Sequence, residues 1–143
     1  MKLSKIIALV PALLALVCVQ LMADEYTDGL KRAKKEDKPA LIYFYSRYCG
    51  YCDAMDRDVL NDKEINPVLK KDVVYMRIDV EKMKDLASLY AIRGYPTITL
   101  LEPSGKRVAQ VPGYIYKKEF KKILSYLKEK RYKTVTLWEY LKG

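Results

Sequence analysis

Two continuous apolar runs of strand length stand out in the first half of the chain. They are PALIYFYS at residues 39–46 and VVYMRIDV at residues 73–80. Runs without regular polar alternation are typical of strands that are covered on both faces. Two further strand-like runs follow, TITLLE at residues 97–102 and RVAQV at residues 107–111, with a short Pro- and Gly-containing segment between them. Such a segment favours a type I turn, so these two runs are predicted to form a hairpin.

Helix-compatible segments flank and separate the first two strand-like runs. Residues 24–37 are mostly polar with apolar positions near helical spacing, which predicts a surface helix. A second helical segment is predicted at residues 50–60. Asn61, followed three residues later by Glu64, has the pattern of a capping box. We therefore expect a new helix to begin there and to end near Lys71.

Two amphipathic helices are predicted in the second half. Their apolar positions are Leu86, Leu89 and Tyr90 in a short helix, and Phe120, Ile123, Leu124 and Leu127 in a closing helix. The order of elements is a βαβ unit followed by a ββα unit. We therefore predict an α/β fold with three layers, in which helices flank a central mixed sheet of four or five strands. The tail at residues 132–143 has no assigned place, and its Trp138 is expected to pack onto the domain.

The first 23 residues have the order of a secretory signal peptide. Two lysines precede an apolar run at residues 6–19, and polarity returns abruptly after it. Cleavage after Ala23 would leave a domain at residues 24–131 and a C-terminal extension at residues 132–143. These are about 120 residues together, the usual size of one domain. We expect a periplasmic or otherwise exported protein, and an uncleaved leader that anchors it to the membrane is the alternative.

Charge and residue types narrow the chemistry. The net charge is +9, with 27 Lys and Arg residues against 18 Asp and Glu residues. Because the lysines are spread over nearly every predicted helix, they indicate solvated helix faces, and no nucleic-acid partner is predicted. The chain has no histidine, which excludes His-based acid–base catalysis and His metal ligands. The chemistry must therefore come from sulfur or from carboxylates.

Two of the three cysteines, Cys49 and Cys52, lie where the first strand passes into the following helix. Side chains three residues apart on a helix have Cβ atoms about 5–6 Å apart, close to the spacing that a disulfide requires. A helix N-terminus also favours a thiolate. We expect Cys49, at the tip, to attack a substrate and Cys52 to resolve the mixed disulfide. Gly50 would let a substrate backbone approach, and Tyr51 would offer it an aromatic edge.

Other uses of this cysteine pair fit less well. A zinc site needs two further ligands, and after the leader there is neither another cysteine nor a histidine. A four-thiolate site in a dimer, or Cu(I) between two thiolates, stays open. A permanent disulfide would stabilise the fold little because the loop that it closes is short. Redox cycling is therefore the leading interpretation, with no cofactor or resident metal, and a thiol-based metal-binding or assembly protein is the alternative.

The order of these elements resembles the thioredoxin-like fold over residues 26–130. The resemblance rests on the strand ALIYFYS, the RYCGYC segment at a helix start, the strand YMRIDV, the YAIRGYPT segment, and the hairpin with its closing helix. The Cys-Gly-Tyr-Cys tetrad is similar to that of bacterial periplasmic disulfide isomerases. Residues 38–62 also resemble the C-terminal domain of the membrane thiol-disulfide interchange protein. The resemblance implies a thiol-disulfide oxidoreductase, more reductase or isomerase than primary oxidant.

The resemblance also implies residues and partners beyond the cysteine pair. The Tyr95–Pro96 bond would be cis and would lie beside the active-site disulfide, so both residues would bind substrate. The partners would be proteins with thiols or disulfides and a redox partner, for which a membrane thiol-disulfide interchange protein is a candidate. The chain departs from the family at Tyr48, where thioredoxins carry Trp, and at Tyr43. A buried acid of the family stands at the position of Tyr43 and accepts the proton of the resolving cysteine.

Overall fold

The computed structural model describes residues 25–143. The predicted signal peptide and its cleavage after Ala23 lie outside the described residues. In the first half, the elements in chain order are helix α1 at residues 25–36, strand β1 at Ala40–Tyr45, helix α2 at Gly50–Met55, a π-helical turn at Asp56–Leu60, helix α3 at Ile65–Lys71 and strand β2 at Val74–Asp79. The second half consists of helix α4 at Lys84–Leu89, strands β3 and β4 at Thr97–Leu101 and Arg107–Pro112, helix α5 at Lys117–Lys128, a 3₁₀ turn at Arg131–Lys133 and helix α6 at Leu137–Lys142.

The strands form one four-stranded mixed sheet in the order β2-β1-β3-β4. The β1–β2 pair is parallel, whereas β1–β3 and β3–β4 are antiparallel. The parallel pair needs a crossover, which α2 and α3 supply, and the antiparallel pair β3–β4 is the predicted hairpin. Among residues 25–143, no helix combines the length and the apolar character that crossing a bilayer requires.

Side chains of β1 alternate between two hydrophobic cores, one on each face of the sheet. Ile42 and Phe44 are fully buried in the core that α1 and α4 cover. Leu41 and Tyr43 are fully buried in the larger core on the other face, which α2, α3 and α5 cover. The strand is therefore apolar throughout because helices cover both of its faces. The predicted three-layer α/β fold is confirmed.

The start of α3 differs from the prediction. The side chain of Asp62, and not that of Asn61, accepts the backbone N–H groups of Glu64 and Ile65, at 2.9 and 3.3 Å. Asn61 instead closes the preceding π-helical turn through its N–H bond to the carbonyl of Asp56 at 3.0 Å. The π-helical turn carries the helical backbone up to Leu60, and α3 begins only at Ile65, later than the Asn61 pattern predicted.

Two expected packing positions are wrong. Leu89 was predicted to lie on the apolar face of α4, but its side chain is 74% exposed while Leu86 and Tyr90 are buried. In the C-terminal extension Trp138 is 55% exposed, and the neighbouring Leu137 is buried at 2% exposure. In α6, which Thr136 caps reciprocally with Glu139, the first helical residue Leu137 lies in the larger core. The next residue, Trp138, is about 100° further round the helix and points away from that core.

Candidate active site

Cys49 and Cys52 lie in the turn where β1 gives way to α2. Cys49 is the N-cap of α2 with an extended backbone, and its Sγ accepts the backbone N–H of Cys52 at 3.2 Å. The Cys49 carbonyl accepts the N–H groups of Cys52 and Asp53 at 3.0 and 3.1 Å. Both thiols are free. The first turn of the helix thus presents its N–H groups to the Cys49 sulfur, an arrangement that favours negative charge there.

The two sulfurs differ in exposure. Cys49 is partly exposed, whereas Cys52 is buried at 1% exposure. Burial, followed by the hydrogen bond with Cys49, raises the pKa of the Cys52 thiol to about 12. Hydrogen bonds from the backbone of Ser46 and from the Tyr43 side chain act in the opposite direction on that pKa. The geometry therefore separates an accessible sulfur from a covered one that holds its proton.

The loop that precedes β3 lies against Cys49. Its Tyr95–Pro96 peptide bond is cis. The thiol of Cys49 donates a hydrogen bond to the carbonyl oxygen of Tyr95 at 3.5 Å. Around this contact three aromatic side chains reach solvent, Tyr48 at 89%, Tyr51 at 71% and Tyr95 at 45% exposure. Pairing of β1 with β3 brings these residues together, since Phe44 faces Thr97 one residue after the proline.

Tyr43 lies beneath the first turn of α2. Its side chain is fully buried, and its hydroxyl donates a hydrogen bond to the backbone carbonyl of Cys52 at 3.3 Å. Burial, and then the negative charge of Asp56, raises the pKa of this phenol above its usual range. A protonated phenol therefore stands directly under the buried cysteine.

An ion pair next to Tyr43 was not expected from the sequence. Arg77 on β2 binds Asp56 through two hydrogen bonds of 2.6 and 2.9 Å. Its guanidinium group also lies over the rings of Tyr43 and Tyr45, 5.2 and 4.6 Å from their centroids. The sequence signal for this cluster was a charged residue in the middle of a mostly apolar strand, at the register position opposite Tyr43.

A second polar cluster holds the loop that leads into Cys49. The hydroxyl of the buried Ser46 donates to the carboxylate of Glu81 at 2.5 Å and accepts the N–H of Tyr48 at 3.1 Å. Arg47, two residues before Cys49, forms an ion pair with Asp79 at 3.1 Å. These bonds join the loop to the end of β2 and the residues after it.

A family model described as a thioredoxin-like domain matches residues 26–128, well over half of the chain. The chain belongs to the thioredoxin-like family. Protein disulfide-isomerase A3 of Gallus gallus is 33% identical to this thioredoxin-like protein over 123 residues, which are 85% of this chain and 23% of the relative. A thioredoxin of Mycoplasmoides gallisepticum is 30% identical over 91 residues, 62% of this chain and 83% of the relative.

The solved structures agree with the fold. The reduced C-terminal domain of DsbD from Neisseria meningitidis has a TM-score of 0.61 at 23% identity, covering 71% of this chain and 93% of that one. At this identity the likeness concerns the fold alone. This chain spans 17%, 23% and 40% of the length of three of the curated relatives that it matches. Within residues 25–143, no group of three or more His, Cys, Asp or Glu side chains is arranged to hold a metal ion.

Proposed function

We propose that this thioredoxin-like protein is an exported thiol-disulfide oxidoreductase that acts on protein clients through mixed disulfides, as a reductase or isomerase. The observation that carries the proposal is the pairing of an accessible sulfur at the helix N-terminus with a buried sulfur one turn further on. Cys49 is the attacking residue and Cys52 the resolving residue. The domain at residues 24–131 and the leader cleaved after Ala23 are part of the same proposal.

The reaction consists of two exchanges. The Cys49 thiolate attacks one sulfur of a client disulfide, a Cys49–client bond forms, and the other client sulfur leaves as a thiolate. Cys52 then loses its proton and attacks Cys49 Sγ, the Cys49–client bond breaks, and the second client sulfur leaves. Two electrons have passed to the client, and the protein holds a Cys49–Cys52 disulfide. A redox partner restores the dithiol by the reverse exchanges, and a membrane thiol-disulfide interchange protein is our candidate.

The client would bind across the turn that holds Cys49. Gly50 carries no side chain, and a Cβ built at this position meets no atom within 4 Å, so a client backbone has room there. Tyr51 and Tyr95 supply exposed aromatic surface on either side of the sulfur. The backbone beside Pro96 would pair with the client segment in the manner of a strand. Their arrangement around one sulfur supports a role in client recognition.

Covalent trapping tests the assigned roles. A Cys52→Ser variant should accumulate mixed disulfides with client proteins, because the intermediate on Cys49 can no longer be resolved. Cys49→Ser is the matched control and should trap none. Non-reducing gels followed by mass spectrometry of the captured proteins measure both. Equal trapping by the two variants would refute the assigned roles. If neither variant lost the ability to reduce insulin, the proposed activity of this cysteine pair would be refuted.

Direction and compartment need separate measurements. Equilibration with glutathione buffers gives the reduction potential, and a value well above that of the compartment would contradict a reductase. N-terminal sequencing of the protein from a periplasmic fraction tests cleavage after Ala23.

Elemental analysis of anaerobically purified protein tests the alternative in which the thiols hold Cu(I) or Zn. Stoichiometric metal without insulin reduction would favour that alternative.

A further inference from the structure

We propose that the Tyr43 hydroxyl is a hydrogen-bond donor to the Cys52 thiolate during resolution of the mixed disulfide, and that the proton of Cys52 passes to solvent and not to a side chain that faces Tyr43. The inference rests on the proposed function, because it concerns the second of its two exchanges. It makes Tyr43 a stabilising residue for the sulfur that attacks and, in the reverse direction, for the sulfur that leaves.

The position of the hydroxyl supports this role. Tyr43 is fully buried in β1, and its hydroxyl reaches the first turn of α2 at the Cys52 carbonyl, 3.3 Å away. That carbonyl also accepts the backbone N–H of Asp56, so it keeps a partner when the hydroxyl turns away. The phenol can therefore rotate its proton from the Cys52 carbonyl toward Cys52 Sγ without leaving a buried acceptor unsatisfied. The Tyr43 side chain also acts to lower the pKa of that thiol, against the larger effect of burial.

The groups that face Tyr43 leave no free proton acceptor there. They are Cys52 and Asp56 on the α2 side, Tyr75 and Arg77 on β2, and Tyr45 on β1, whose ring stacks on that of Tyr43. Asp56 is held by both terminal nitrogens of Arg77. Burial raises the pKa of Tyr75 as it does that of Tyr43, so both phenols keep their protons at neutral pH. A phenol in this state can donate to a thiolate but cannot take up its proton.

The chemical consequence is a resolution step that depends on hydroxide. Cys52 loses its proton to solvent base, its thiolate attacks Cys49 Sγ, and the sulfur on the other side of that bond leaves with the electron pair. Because burial raises the pKa of Cys52, the thiolate fraction at neutral pH is small and grows about tenfold for each unit of pH. The rate of resolution in the unmodified protein should therefore keep rising with pH well above neutrality.

Stopped-flow reaction of the reduced protein with dithiobis(nitrobenzoate) separates the two exchanges. Attack by Cys49 releases the first thionitrobenzoate, and attack by Cys52 on the resulting mixed disulfide releases the second. Tyr43→Phe should slow the second release about threefold and leave the first unchanged. The factor follows from a hydrogen bond worth about one pKa unit, half of which is offset because a more basic thiolate is more nucleophilic. Tyr126→Phe is the matched control, since Tyr126 is equally buried and donates to the Val135 carbonyl at 2.9 Å.

Three outcomes would overturn the inference. A second release in Tyr43→Phe as fast as in Tyr126→Phe removes the donor role. A slowing of both releases, together with a lower free energy of unfolding than in Tyr126→Phe, makes Tyr43 a structural residue only. An Asp56→Asn variant that slows the second release as much as Tyr43→Phe identifies a carboxylate as the acceptor.

The unmodified protein tests the proton's destination even where a variant fails to fold. A second release that stops rising near neutral pH would point to an internal acceptor and would overturn the solvent route. The small disulfide reagent needs no client, so this measurement is independent of the trapping experiment. If Cys52→Ser traps no clients while the second release of the unmodified protein is normal, only the proposed function is contradicted. If Tyr43→Phe shows an unaffected second release and reduces insulin normally, only the role of Tyr43 is contradicted.

Discussion

Cys49 and Cys52 carry the same thiol group, yet their surroundings prepare them for different tasks. The sulfur of Cys49 lies at the solvent edge among N–H groups of the helix start, and the sulfur of Cys52 lies under that turn at 1% exposure. Exposure makes a sulfur available to a partner, whereas burial keeps a proton on it. A difference of one helical turn in position is therefore enough to order the two exchanges.

Gly50 allows a test of client approach at the level of a single residue. A Cβ at this position meets nothing within 4 Å, so Gly50→Ala should not disturb the fold. The free energy of unfolding should stay level or rise by up to about 1 kcal/mol, because alanine is the better helix former. Reduction of insulin should nevertheless slow, since the added methyl group faces the client backbone.

Comparison of two substrates isolates this effect. The reaction of Gly50→Ala with dithiobis(nitrobenzoate) serves as the control and should match that of the unmodified protein. Urea unfolding gives the stability. If insulin is reduced at the unmodified rate, Gly50 has no role in client approach. If both substrates react more slowly, the substitution has altered Cys49 itself.

Some contacts of the candidate site can be predicted from residues that are close together in the sequence, and others cannot. The spacing of Cys49 and Cys52 at a strand–helix boundary is visible in the sequence because the two residues are three positions apart. The pair of Asp56 and Arg77 spans 21 positions, and only the register that sets Arg77 opposite Tyr43 brings them together. Contacts of this kind depend on strand pairing, which a local pattern does not contain.

The bounds of the helices depend on the capping residues and on how far the preceding helix extends. The apolar stripe of α5 was predicted correctly, and its four predicted core positions are buried. The start of α3 was predicted too early, at Asn61, because Asn61 and Asp62 are both good caps and the start of the helix depends on how far the preceding helix extends. The π-helical turn at Asp56–Leu60 decides it, and its occurrence has no simple sequence signature.

Asp62 interacts with both α3 and α5, so the stability of the fold depends on the ionisation of its carboxyl group. Its carboxylate caps α3 and lies 2.8 Å from the ammonium group of Lys117 at the start of α5. The Lys117 side chain, and then the N–H of Glu64, lowers the pKa of Asp62 to about 2. A lowered pKa in the folded state stabilises the fold above the unfolded value near pH 4, and this stabilisation disappears as the pH falls toward 2.

Asp62→Asn should therefore lower the free energy of unfolding at neutral pH, and the difference from the unmodified protein should shrink as the pH falls from about 4 to about 2. Chemical denaturation at several pH values measures it. Asp28→Asn, which removes an exposed ion pair within α1, is the control and should show little difference at any pH. A difference for Asp62→Asn that stays constant down to pH 2 would contradict the assigned ion pair.

For the whole molecule, the order of strands decides which loops meet. The segment after β1 and the segment before β3 are far apart in sequence, yet both end at the same edge of the sheet because β1 and β3 are antiparallel neighbours. The resemblance to the thioredoxin-like fold implied that Tyr95 lies beside Cys49, whereas the order of elements alone does not say which strands pair. The C-terminal extension was beyond such reasoning, since its position depends on contacts with the finished domain.

The extension is part of the folded unit through Leu137 and not through Trp138. Leu137 lies in the larger core with α5, whereas Trp138 is more than half exposed. Leu137→Ala should therefore lower the free energy of unfolding by about 2–4 kcal/mol, the usual cost of removing a buried leucine side chain. Trp138→Ala is the matched control on the next residue and should cost less than about 1 kcal/mol. Urea denaturation of both variants, with the two-phase thiol reaction as a check on the distant site, measures the effect. A larger loss for Trp138→Ala than for Leu137→Ala would mean that the extension packs through its other face, as the sequence alone had indicated.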